Sequence, residues 1–169
     1  LIMVNSNLKL IWFLALSFSG FVLGAQEGYE GYKSFASLEY PRPLINDEIF
    51  KKTQILPMIH MDRKAFSEHL EESAQYLVDK EDDIVRIYLV IEKEGKIRNC
   101  MAGSLNGSSI DTVSLRRFVE EIQPFQPAKQ RDQYVNIQAH ITLDYKKGKV
   151  VDYRLDNLML SEWCSIQMP

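Results

Sequence analysis

IVRIYLVIEKEGKIRNCM, residues 84–101, alternates apolar and polar side chains with the period of a half-buried strand. Val85, Ile87, Leu89 and Ile91 fall on one face, and Arg86, Tyr88, Val90 and Glu92 on the other. Glu94 and Gly95 then turn the chain, and residues 96–101 return it, so this stretch reads as a β-hairpin. Everything else in the fold is arranged by what this hairpin needs, a cover for its apolar face.

Two amphipathic helices supply that cover. Upstream, Asp62 can cap a helix whose apolar positions Phe66, Leu70, Ala74 and Leu77 recur at helical spacing, with Met61 and Phe66 placed as a hydrophobic staple and an end near Val78. Residues 79–83 follow as a charge-dense, solvated loop. Downstream, a loop at 103–107 leads to Ser108, which with Asp111 reads as a capping box, and Leu115, Phe118, Val119 and Ile122 make the apolar stripe. Pro124 and Pro127 end that helix.

The longest alternation comes next. Val135, Ile137, Ala139, Ile141 and Leu143 share one face, and Asn136, Gln138, His140, Thr142 and Asp144 the other. A turn at Lys146, Lys147 and Gly148 precedes a fourth strand with Val151, Tyr153 and Leu155 at period two. The expectation is an α+β domain: an antiparallel three- to four-stranded sheet in the order 2-1-3-4, with two helices packed on one face.

This domain occupies residues 62–157. Before it, residues 1–25 carry an apolar run from Leu10 to Leu23 ending in small residues, which reads as a signal peptide, with an uncleaved inner-membrane anchor as the alternative. Residues 26–61, rich in glycine, aromatics and proline, read as an extended arm of two or three short pieces, and residues 158–169 as a tail. Export places Cys100 and Cys164 where a disulfide can form, closing a loop of about 63 residues; the alternative is two unpaired thiols.

Composition narrows the function. The chain has 169 residues, 46% hydrophobic and 25% charged, and its 20 basic against 23 acidic residues give a net charge of -3. Bulk nucleic-acid binding needs an excess of positive charge that is absent here. The three histidines and two cysteines show no metal-ligand spacing, so neither a metal nor another cofactor is expected. No serine lies in a GxSxG turn, and the neighbouring pairs Glu71–Glu72 and Glu120–Glu121 point apart on their helices. No enzymatic activity and no small-molecule substrate are expected. The alternatives are an exported hydrolase or ligand-binding domain on the same scaffold, and a structural envelope subunit. His140 reads either as a partner contact or as an ordinary exposed histidine.

One resemblance goes further. IYLVIEKEGKI (residues 87–97) followed by LRRFVEEIQPFQPAKQRDQYVNIQAHITL (residues 115–143) resembles the C-terminal domain of TonB-type energy transducers, over about residues 62–145. Its motif positions are the aromatic and proline at the helix end, Phe125 and Pro127, and the basic turn at Lys129. In the turn before the last strand, where that family has a small residue, this chain has Arg131, Asp132 and Gln133. The resemblance implies a periplasmic protein-interaction domain that takes a peptide of an outer-membrane TonB-dependent receptor as an added strand. The edge implied is that of the long strand, at Tyr134, Asn136, Gln138, His140 and Thr142, with the C-terminal strand occupying it until displaced.

Overall fold

The computed structural model describes residues 30–38, 40 and 48–161. The chain divides into two units, residues 1–31 and residues 32–169. The first lies almost wholly outside the described residues, as do the expected signal peptide and Cys164. Among the described residues no helix is long and apolar enough to cross a membrane.

Among the described residues, the second unit has eleven strands, two α-helices and a short π-helical stretch: β1 (Ser34–Leu38), β2 (Ile49–Phe50), β3 (Met58–Ile59), α1 (Arg63–His69), β4 (Asp83–Ile91), β5 (Ile97–Ser104), α2 (Thr112–Glu121), β6 (Phe125–Gln126), β7 (Lys129–Gln130), β8 (Gln133–Tyr134), β9 (Asn136–Lys146), β10 (Lys149–Asp156) and β11 (Met159–Leu160). The class is α+β. The principal sheet runs β1-β5-β4-β9-β10, with β2 added to β9. Its inner run β5-β4-β9-β10 is antiparallel and places Ile141 opposite Ile87 and Ile137 opposite Ile91.

The expected three- to four-stranded antiparallel sheet is corrected to a larger, mixed arrangement. β2 pairs parallel to β9, and two small sheets, β11-β3-β6 and β7-β8, stand apart from the main one. β11 and β3 are also parallel. The segments read as an arm and a tail supply β1, β2, β3 and β11, and bury Leu38, Ile59, Leu158 and Leu160. For β1 the physical reason is the edge of β5, whose backbone groups it satisfies over five residue pairs.

Both helix starts are aspartates. Asp62 accepts the Ala65 amide at 2.7 Å, and Asp111 accepts the Ser114 amide at 2.7 Å. Ser108 is therefore not the cap expected, because its hydroxyl donates to Asp83 instead. The first helix also ends earlier than Val78: α1 gives way to a π-helical stretch at Leu70–Ala74. Its buried Leu70 and Ala74 join Phe66 and Leu77 in the core, and Tyr145 donates its hydroxyl to the Ala74 carbonyl at 2.6 Å.

Asp83 corrects the reading of residues 79–83 as wholly solvated. It is 1% exposed. Its Oδ1 accepts the amides of Ile84 (2.7 Å) and Asn106 (2.9 Å), while its Oδ2 accepts the Ser104 hydroxyl (2.5 Å), the Ser108 hydroxyl and the Ser108 amide (3.3 Å). Burial by itself disfavours the charged carboxylate, but these hydrogen bonds outweigh it and hold the Asp83 pKa below its ordinary value.

Candidate peptide-binding edge

Strand addition needs a strand with an unpaired side, so the terminal strands of the main sheet come first. β9 is not one of them. β10 pairs with it from Lys146 to His140, and β2 pairs with its first residues at Ile49–Asn136 and Phe50–Ile137. β10 thus lies where the C-terminal strand was expected, along the edge of β9, and Asn136, Gln138, His140 and Thr142 lie within the sheet. Asn136 is 3% exposed, and its carboxamide accepts the Lys93 amide at 3.0 Å. Gln138 accepts the Tyr88 hydroxyl at 2.8 Å. Thr142 lies between Arg86 and Arg154. Tyr134 belongs to β8 and is 53% exposed.

His140 is half-buried rather than simply exposed, its ring centroid 5.3 Å from that of Tyr88. Burial, helped by the nearby Arg86, pushes its pKa down to about 4, so the ring is neutral at pH 7.

The motif positions are structural as placed here. Phe125 is buried and donates its amide to the Gly95 carbonyl at 2.9 Å, tying the exit of α2 to the β4–β5 turn. Gly95 has φ +77°, and a Cβ there would lie 2.0 Å from the Phe125 carbonyl oxygen. Pro127 is half-buried, and Lys129 holds its ammonium 4.8 Å above the Tyr134 ring. Cys100 is a fully buried free thiol whose pKa burial pushes up to about 12.

Among the described residues, the terminal strands are β1 and β10. β10 offers the longer edge, eight residues against five. Tyr153 and Leu155 pack toward the core, and Asp152, Arg154 and Asp156 line the opposite face across from Asp144, Thr142 and His140. Val151, expected inward, sits in a bulge and is 57% exposed, because the register shifts between Val150 and Asp152.

Beside this edge α1 leaves a hollow of about 310 Å³ lined by Arg63, Ser67, Asp152 and Tyr153. Phe66 holds the Tyr153 ring edge-on, with centroids 5.1 Å apart. The buried Tyr153 hydroxyl has no hydrogen-bond partner.

No family model matches this chain, and no curated protein or solved structure is found similar to it.

A second polar group joins α1 to α2, and sequence spacing gave no sign of it. The Ser73 hydroxyl donates to Glu121 Oε2 at 2.6 Å, and His69 Nδ1 lies 3.3 Å from that oxygen and 3.4 Å from Ser73 Oγ. A catalytic triad uses one imidazole nitrogen for the hydroxyl and the other for the carboxylate. Here both face Nδ1, while Nε2 stands 3.3 Å from the Phe118 carbonyl. Ser73 is also only 4% exposed. The group ties the helices together and lacks the relay geometry. Among the described residues no three His, Cys, Asp or Glu side chains converge to hold a metal ion.

Proposed function

We propose that the protein is a periplasmic protein-interaction module that takes an extended segment of an outer-membrane transporter as an added strand. The observation that carries this reading is the outer edge of β10 beside the Arg63–Tyr153 hollow. An added strand gains backbone hydrogen bonds from the edge, and alternate side chains reach the neighbouring recess beside Arg63 and Ser67.

Addition outside β10 is favoured over its displacement from β9. Asn157 donates to the carbonyls of Lys51 (2.8 Å) and Gln138 (3.3 Å), and β11 pairs with β3 beyond it. Gly148 and Lys147 anchor the other end, donating to the Glu81 carbonyl (2.8 Å) and to Asp82 Oδ1 (2.9 Å). Pulling β10 away would also draw Tyr153 and Leu155 out of the core.

The test is site-specific photocrosslinking in intact envelopes from Val151, with and without a Thr142→Cys/Arg154→Cys disulfide that locks β10 to its opposite neighbour on β9. Adducts with an outer-membrane transporter that persist in the locked form are expected. Adducts lost on locking would mean displacement, and none at Val151 would remove this edge from consideration.

A further inference from the structure

Half-exposed apolar side chains gather at the start of β9. Ile55 (50% exposed) and Tyr134 (53%) are brought together because Ile55 lies opposite Lys129 and Lys129 opposite Tyr134, and Ile49 (39%) lies opposite Asn136, two residues on from Tyr134. Ile55 and Lys129 exchange both backbone hydrogen bonds, at 3.1 and 3.0 Å. Directly opposite residues of antiparallel strands project to the same face, so Ile55, Lys129 and Tyr134 form one rank. The Lys129 ammonium over the Tyr134 ring agrees with that geometry.

Charge is concentrated there as well. Residues 48–55 and 129–134 hold four cations, Lys51, Lys52, Lys129 and Arg131, against Glu48 and Asp132, in a chain whose net charge is -3. The support is rigid: Gln130 Oε1 accepts the Gln54 amide at 3.0 Å, and Gln54 Oε1 accepts the Arg131 amide at 2.7 Å. At the tip, Arg131 and Asp132 have φ values of 50° and 62°, a left-handed pair of the kind that Asn-Gly adopts with less strain.

We propose that this rank is a docking surface for an anionic lipid membrane. Isoleucines enter the acyl boundary, tyrosine suits the headgroup level, and flanking lysine and arginine pair with anionic headgroups while their stems lie along the apolar surface. The hollows at Arg63–Tyr153 and at Tyr76–Thr112 both lie elsewhere, so a planar partner suits this rank better than a peptide seeking recesses. The inference is independent of strand addition, because lipid vesicles contain no transporter.

The experiment uses the full chain with Cys164→Ser and an environment-sensitive fluorophore on the cysteine of Ile55→Cys; buried Cys100 does not compete for the label. The control carries the fluorophore on Val113→Cys, a position 75% exposed on α2. Vesicles of phosphatidylcholine with about one third phosphatidylglycerol should shift the emission of the Ile55 label to the blue, whereas pure phosphatidylcholine should not, and the Val113 label should stay unchanged. Arg131→Gly should weaken binding about fivefold, the share of one surface cation, while leaving the thermal midpoint unchanged or higher, since glycine relieves the left-handed turn. An equal shift at Val113, no shift at Ile55, no effect of Arg131→Gly on affinity, or a shift produced by polyglutamate but not by vesicles would each overturn the proposal.

Discussion

Asp83 and Glu121 both collect serine hydroxyls, yet they do so in different surroundings. Asp83 is 1% exposed and accepts five hydrogen bonds from residues 84 and 104–108. The Glu121 side chain is 39% exposed and shares its charge between Ser73 and Arg117, whose Nε lies 2.9 Å away. The hydrogen bonds from Ser73 and Arg117 lower the Glu121 pKa, as the donors around Asp83 lower that of Asp83. Equal directions conceal unequal consequences. Water can reach Glu121 and take the place of Arg117, whereas the Ser104 and Ser108 groups that bond Asp83 are fully buried, so the buried carboxylate matters more to the groups around it.

Asp83→Ala should have the largest effect, a loss of about 3 kcal/mol or more, since each orphaned buried donor costs about 1–3 kcal/mol. Urea unfolding measures it, and a loss below that of Ser73→Ala would reverse the ranking of the two clusters. Acid should expose the same contrast. The folded Asp83 pKa lies below its unfolded value, so its contribution is fully present above the ordinary carboxylate range, near pH 4, and is lost as pH falls through the folded pKa. Asp83→Asn should flatten the stability profile below about pH 4 more than Glu121→Gln does; equal flattening would place both carboxylates in one class. Ser73→Ala should cost about 1 kcal/mol, because the hydroxyl is buried but its partner keeps access to solvent. Arg117→Ala should leave the unfolding midpoint within error of the parent, and a clear shift would mean that the exposed pair is stronger than surface ion pairs usually are.

The hairpin, the long strand and both helices were legible because each is long enough for its period to show. Asp83 was half legible. It shares parity with Val85, Ile87 and Leu89, as Tyr145 does with Leu143 and Ile141, so the alternation runs one residue before the first strand as read and one residue beyond the end of the long one. Its charge argued for solvent, and the donors that overturn that argument lie up to 25 residues away. The candidate site was less legible still. Tyr153 was recognised as an inward residue, but the hollow beside it needs Arg63 and Ser67 from a helix distant in sequence. Ser73 and Glu121 are 48 positions apart, and no spacing connects them.

Sequence alone determined the α+β class, the aspartate cap at Asp62 and the neighbours of the inner strands, because these follow from local hydrogen bonds and from periodicities within one segment. Tertiary structure decided the rest: strands of two residues at β2, β3 and β11, the bulge that turns Val151 outward, and which end of β9 carries exposed isoleucine and tyrosine. A two-residue strand has no period to read. It exists only because a neighbouring backbone, brought near by the packed core, presents amides and carbonyls that must find partners.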